Sequence, residues 1–261
     1  MSFTIAITGK GGVGKTTLAA LTVLRLIAKG RRPVLAVDAD PNTCLDAALG
    51  VSAAKTVGSV REQARQASAQ GLGAGVSKQE LLELKIGESL VEADDFDLIA
   101  MGRPEGPGCY CYANNVLKDV IAQIAHHYPY VVIDNEAGLE NLSRRIVQRA
   151  DLLVMVSDPS KRGLETVARL HELAREMEIR YERLAIVVNR LRSDELPEAA
   201  QTLKERTGAE LLVGLPQCPQ LAELSEDGAS LAGIADGNPL VERMDGFLAE
   251  AQPGPERRWQ S

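Results

Sequence analysis

Eight residues near the start, Gly9-Lys10-Gly11-Gly12-Val13-Gly14-Lys15-Thr16, constrain this chain more than any other stretch. They match the pattern G-x-x-x-x-G-K-S/T. An apolar run, Phe3–Ile7, precedes them, and an Ala/Leu-rich stretch, Lys15–Ala28, follows. Strand, glycine-rich turn and helix form the context in which this pattern cradles a nucleoside triphosphate. Successive backbone N–H groups make a concave anion site at a helix N-terminus, where the helix dipole also favours negative charge. Glycines are required because a Cβ would block the phosphates or forbid the backbone angles. Gly11, Gly12, Val13 and Gly14 are expected to line the phosphates, and Lys15 to meet the β- and γ-phosphates. Thr16 offers its hydroxyl to Mg²⁺, and Thr17 bonds the α-phosphate. The implied reaction is hydrolysis of the Mg²⁺–nucleoside triphosphate.

The rest of the chain alternates in a way that suits such a loop. Short β-branched runs occur at Thr4–Thr8, Val34–Val37, Asp97–Met101, Tyr130–Ile133, Leu152–Val156, Leu184–Val188 and Leu211–Val213. Helical stretches lie between most of them, as at Lys15–Ala28, Val116–Ala125, Leu164–Met177 and Leu196–Arg206. This predicts an α/β fold, a mostly parallel β-sheet with helices on both faces, as in P-loop NTPases. Ligands on such sheets sit at the carboxyl ends of the strands, so the residues just after each strand are the candidate site.

The length of 261 residues suits one domain, expected over residues 1–251, with Gln252–Ser261 as a disordered tail. Aromatics make up only 3%, so Val, Ile, Leu and Ala must fill the core. Gly58–Asp95 reads either as a helical insertion near the site or as a solvated excursion, with a helical patch at Gln79–Ile86. Toward the end, Leu240, Val241, Met244, Phe247 and Leu248 share one helical face. The opposite face carries Glu242, Asp245 and Glu250 rather than a basic stripe, so this helix is expected to pack on the core and not on a membrane. With no apolar run of spanning length and no signal peptide, the expected location is cytoplasmic. A net charge of −7 argues against a nucleic-acid partner. Four cysteines in such a protein are expected to be thiols, metal ligands or redox groups.

Val131-Val132-Ile133-Asp134 is an apolar strand ending in aspartate, the Walker B pattern beside a phosphate loop, so Asp134 is expected to hold Mg²⁺. Lys10, directly after the first glycine, makes the loop resemble the deviant P-loop family that includes the nitrogenase iron protein, MinD and ParA. The resemblance implies a homodimer closing on two ATP molecules, with Lys10 reaching the partner's nucleotide as a catalytic group beside Lys15. Val37-Asp38-Ala39-Asp40-Pro41-Asn42 is similar to the family's first switch. There the resemblance assigns Asp40 to orienting the attacking water and Asp38 to supporting the Mg²⁺ shell. An aspartate before proline also suits a helix N-cap, and the two roles are compatible. Asn135-Glu136-Ala137-Gly138 resembles the second switch, with Gly138 allowing movement. Asn189 falls where the family reads the adenine edge, although a strand-end turn residue would look the same. Leu215-Pro216-Gln217 would close the base pocket, and ATP is favoured over GTP.

Gly108-Cys109-Tyr110-Cys111-Tyr112 points to a finer function. In an extended segment both sulfurs would face one way. Two thiolates are half a tetrahedral metal site, and a two-fold axis would supply the rest from a second copy. Packing of the two cysteines in a core is the alternative. The flanking Pro104, Gly106, Pro107 and Gly108 speak against burial in regular structure. Four motifs together resemble the CooC-type accessory ATPases implicated in inserting nickel into carbon monoxide dehydrogenase. These are the loop with Lys10, Asp40-Pro41-Asn42-Thr43-Cys44-Leu45, the Cys-x-Cys after a strand ending near Met101, and Asp134-x-x-Ala137-Gly138-x-Glu140. That resemblance implies a dimer holding one metal ion between two Cys109/Cys111 pairs and using ATP to drive transfer. Zn²⁺ suits four thiolates and Ni²⁺ is also compatible. Cys44 is expected to pack near the first switch and Cys218 to be structural, while His126 and His127 read as a solvated helix end. Two other readings are an iron–sulfur reductase component and a MinD/ParA-like positioning ATPase. The first is disfavoured because the cysteines lie in one loop, and the second leaves the Cys-x-Cys unexplained.

Overall fold

The computed structural model describes residues 2–59, 87–103, 109–136 and 149–251, with side chains from residue 117 onward in the third stretch. The Gln79–Ile86 patch, the Pro104–Gly108 run, Ala137, Gly138, Glu140 and the tail Gln252–Ser261 lie outside these residues.

Eight strands form one sheet. They are β1 (Phe3–Gly9), β2 (Val34–Asp38), β3 (Leu90–Glu92), β4 (Phe96–Ala100), β5 (Tyr130–Asp134), β6 (Arg149–Ser157), β7 (Arg180–Leu191) and β8 (Leu211–Pro216). Their order is β3-β4-β2-β5-β1-β6-β7-β8. Every pairing is parallel except the edge pair β3–β4. The central strands are mostly apolar because both faces are covered. Alternate residues feed two separate cores. Ile5, Ile7, Val132, Val154 and Val187 pack on one side, and Ala6, Val131, Ile133, Leu153 and Ile186 on the other.

The helices are α1 (Lys15–Ala28), α2 (Leu45–Leu49), α3 (Cys109–Ile124), α4 (Lys161–Glu176), α5 (Glu198–Thr207), α6 (Pro219–Glu226) and α7 (Pro239–Ala251). α1 and α7 cover the first core, and α4 belongs to the second. α7 buries Leu240, Val241, Met244, Phe247 and Leu248, the face expected to pack on the core. It is also clamped by charge. Arg25 of α1 donates to both oxygens of Asp245, at 2.8 and 2.9 Å, and Lys29 meets the same carboxylate at 2.8 Å. Among the described residues no helix is long and apolar enough to cross a membrane.

Two expectations need correction. Cys109 and Cys111 stand in the first turn of α3, so the segment is helical and the extended same-side geometry does not hold. Cys109–Ile124 contains neither Pro nor Gly, so the helix can begin directly after the flanking Pro and Gly residues. β7 also runs past Val188, so Asn189 lies within the strand, at the irregularity where its pairing to β8 shifts between Val188 and Leu191.

Candidate nucleotide-binding site

The phosphate loop joins β1 to α1, in the crevice beside the central strands where parallel sheets place their ligands. Gly14 caps α1 with φ 94°, a left-handed angle that side chains other than glycine resist. A Cβ there would also sit 2.6 Å from Asn189 Nδ2. That close approach has a purpose. Asn189 Nδ2 donates to the Val13 carbonyl at 2.8 Å, and its Oδ1 accepts from Arg190 N at 2.9 Å. Asn189 therefore straps the loop to β7, and one amide N–H remains for another acceptor.

Lys15 is buried at the start of α1, and its Nζ lies 3.5 Å from the Lys10 carbonyl. Burial pulls its pKa below the ordinary value, opposed by Asp134, Asp40 and Glu136 in turn. Lys10 is exposed. The two lysines thus face different surroundings: Lys15 is fixed under the loop, and Lys10 faces outward.

Three carboxylates stand at the ends of β2 and β5. Asp134 is buried, and burial raises its pKa to about 7 despite a hydrogen bond from the Thr16 side chain. Its Oδ1 has no hydrogen-bond partner among the described residues. A buried carboxylate oxygen left unpaired beside a hydroxyl and two other aspartates is costly without a cation, so the residues present fit Mg²⁺. Asp38, buried with a pKa of about 6 from desolvation, has both oxygens engaged. Oδ1 accepts from Asp40 N at 3.0 Å, and Oδ2 accepts from Cys44 N and Leu45 N at 2.9 and 3.0 Å. It thereby caps the short α2 and shapes the first switch. Asp40 is half-buried, and its Oδ1 accepts from both Asn42 N and Asn42 Nδ2, at 2.9 and 3.0 Å.

A cleft of about 400 Å³ opens beside the loop, lined by Gly14, Thr17, Asn189, Pro216 and Gln217 among others. The structure thus brings together the residues expected around the base. Sequence reasoning missed Leu221 and Ser225 of α6 and Arg190, which line the same cleft. α6 buries no residue, so it shows no core pattern; Pro219 at its first position was the available signal.

Cys109 and Cys111 share the first turn of α3, which follows β4 in the chain. Among the described residues no three His, Cys, Asp or Glu side chains gather as a metal site. Cys44 is exposed, not packed as expected; the chain turns at Thr43, with φ 48°, and it is Leu45 that enters the core. Cys218 is half-buried against Asn238, whose Nδ2 lies 3.3 Å from the sulfur. His126 and His127 lie with their rings 3.8 Å apart and tilted by 44° in an exposed 3-10 turn.

The AAA domain family matches residues 2–186. The chain belongs to this family. It is 40% identical over 242 residues to an uncharacterized ATP-binding protein of Methanocaldococcus jannaschii, covering 92% of this chain and 95% of that one. It is 33% identical over 188 residues to the carbon monoxide dehydrogenase accessory protein CooC of Rhodospirillum rubrum, covering 67% of this chain and 70% of CooC. The cell division ATPase MinD of Pyrococcus furiosus superposes with a TM-score of 0.71 at 19% identity, covering 97% of this chain and 100% of MinD. The parallel sheet and the loop after β1 are those of this P-loop fold, and the chain is an ATP-binding ATPase.

Proposed function

We propose that this ATPase works as a homodimer that carries Ni²⁺ to carbon monoxide dehydrogenase, coupling ATP hydrolysis to release of the ion. The observation that carries the proposal is the Cys109/Cys111 pair at the head of α3, in a chain 33% identical to CooC. Residues two apart on a helix lie about 200° apart around its axis. Chelation by both sulfurs therefore requires the first turn of α3 to reshape, which makes metal capture sensitive to the conformation around it. Two such pairs across a two-fold axis complete a four-thiolate site, which Zn²⁺ can also occupy.

The ATPase half of the cycle assigns each site residue a task. Backbone N–H groups of Gly11, Gly12, Val13 and Gly14 bind the phosphates, and Thr17 meets the α-phosphate. Lys15 neutralises charge on the β- and γ-phosphates. Thr16 and Asp134 hold Mg²⁺, and Asp38 supports that shell by fixing the first switch around it. Bound Mg²⁺ screens the charge on the phosphate oxygens during transfer. Asp40 orients the attacking water, and Lys10 reaches the partner's nucleotide. Asn189, Pro216 and Gln217 form the wall of the base cleft, with the free Asn189 N–H available to adenine.

Nickel-free carbon monoxide dehydrogenase, limiting Ni²⁺ and this protein with Mg²⁺–ATP provide the test. Activity should return faster than with ADP or with a Cys109→Ser variant. Equal recovery in all three mixtures would refute the delivery role.

A further inference from the structure

α6 lies along the base cleft with one face turned into it. Cys218, Leu221, Ala222, Ser225 and Glu226 all line the cleft. Counted from Cys218 their spacing is three, four, seven and eight residues, one stripe of a helix. The helix has a direction relative to the nucleotide. Its first turn follows Pro216 and Gln217, which wall the base end. Its last turn comes near the phosphate end. Ser225 and Thr17 line the cleft together, and they also share a second cavity with Thr16, between α1 and α2. From Cys218 to Ser225 the helix rises about 10 Å. That length carries it from the base wall, past the sugar, to the α-phosphate that Thr17 marks. Leu18, Leu21 and Leu240 are buried along the same cleft and offer no polar group to a sugar. Polar groups at this level come from the end of α6. The Ser225 hydroxyl already donates to the Leu221 carbonyl at 2.8 Å. Glu226 is exposed and makes no hydrogen bond or ion pair among the described residues.

We infer that Glu226 is the specificity-determining residue for the sugar, its carboxylate accepting hydrogen bonds from the 2′- and 3′-hydroxyls of the ribose. The inference rests on the nucleotide placement proposed above and not on metal delivery. An ionised carboxylate accepts hydrogen bonds and donates none. It is repelled by phosphate oxygens and gains nothing from the ring nitrogens of adenine, which also accept. The ribose hydroxyls are the donors that lie between base and phosphates, at the level where the last turn of α6 meets the cleft. An acidic side chain reads ribose in the same way in dinucleotide sites on other parallel sheets. Here it comes from a helix on the wall of the cleft instead of a strand end. Glu226 is exposed, so water competes for its oxygens and the preference for ribose over deoxyribose is modest, about fivefold to tenfold.

Calorimetric titration of the full-length protein with Mg²⁺–ADP, its 2′-deoxy and 3′-deoxy forms and Mg²⁺–IDP provides the test. The wild type should bind ADP about fivefold to tenfold more tightly than either deoxy form. Glu226→Ala should bring both ratios close to one, with the loss falling on ADP and not on the deoxy forms. Glu226→Gln, whose amide oxygen still accepts, should keep part of the preference. The ratio of ADP to IDP should be the same in all three proteins, because the base is read by other residues. Equal affinity of the wild type for ribose and deoxyribose forms, or an undiminished preference in Glu226→Ala, would overturn the inference. So would a Glu226→Ala variant that weakens all four nucleotides alike, which marks a structural role, or one that shifts only the ADP-to-IDP ratio, which places the carboxylate at the base. A wild type that binds none of the four would refute the nucleotide placement itself, and this inference with it.

Discussion

Asn189 reaches across from β7 and donates to the carbonyl of Val13 at 2.8 Å, so the phosphate loop is held from behind by a strand 176 residues away. The bond fixes the peptide just before Gly14, whose left-handed conformation turns the chain into α1. Asn189 is therefore as much a part of the loop's shape as of the base cleft.

Replacing Asn189 with Ala removes that bond and leaves the Val13 carbonyl to water. The expected cost is about 1 kcal/mol, or roughly fivefold weaker ATP binding by calorimetry. Gly14→Ala should be far worse, since it meets both the φ barrier and the Asn189 amide. It should bind no ATP while keeping its circular dichroism spectrum. Wild-type affinity in either variant would mean that the strap is incidental.

The frame of this site was readable because its signals are local. α1 spans Lys15–Ala28, the stretch expected from its Ala/Leu pattern, and each expected strand overlaps an observed one, although β7 starts four residues before Leu184 and ends three after Val188. What escaped depends on distant partners. α2 is five residues long and exists because Asp38 accepts its first N–H groups. β3 is a three-residue edge strand defined only by pairing with β4. The strap from Asn189 to Val13 leaves no trace in residue order, because a strand-end asparagine is common for other reasons.

Asp134 gives a pH signature. Its pKa is raised from 3.8 to about 7 by burial, so the folded protein holds a proton there that the unfolded chain releases. This contribution to stability is fully present below about pH 4 and is lost as pH rises through about 7. Asp134→Asn removes that dependence. Metal-free wild type should lose melting temperature relative to Asp134→Asn between pH 4 and pH 8, and the gap should level off above that. Mg²⁺–ATP should stabilise the wild type and have little effect on the variant. A gap of constant size across the pH range would count against the buried, unpaired carboxylate.

The Arg25–Asp245 pair predicts a purely structural effect. Asp245→Asn weakens the bidentate contact and leaves the mostly buried Arg25 with the exposed Asp236. Stability should fall by about 1–2 kcal/mol in urea titration, with ATP hydrolysis unchanged below the transition. Arg25 and Lys29 hold the Asp245 carboxyl below its usual 3.8. The wild type's advantage should therefore be full above pH 4 and fade as pH falls through that lowered value. A variant as stable as the wild type at pH 7 would show that apolar packing alone seats α7.

Lys10 separates binding from turnover. It is exposed, outside the buried network around Lys15, so Lys10→Ala should bind ATP with near wild-type affinity and hydrolyse it at least about tenfold more slowly. Sedimentation should show more wild-type dimer with a non-hydrolysable ATP analogue than with ADP, and less of that difference in the variant. Full activity in Lys10→Ala would remove cross-subunit catalysis from the mechanism.

A metal ion shared between two chains must bind with a defined stoichiometry, and measuring it tests the proposed delivery role most directly. Equilibrium dialysis against Ni²⁺ or Zn²⁺, read by elemental analysis and paired with sedimentation, measures ions per chain and assembly state together. One ion per two chains is expected, with dimerisation promoted by metal without ATP and affinity falling as the thiolates protonate at lower pH. Cys109→Ser and Cys111→Ser should each abolish binding and leave ATP affinity intact. One ion per chain, retained in both variants, would contradict the shared site.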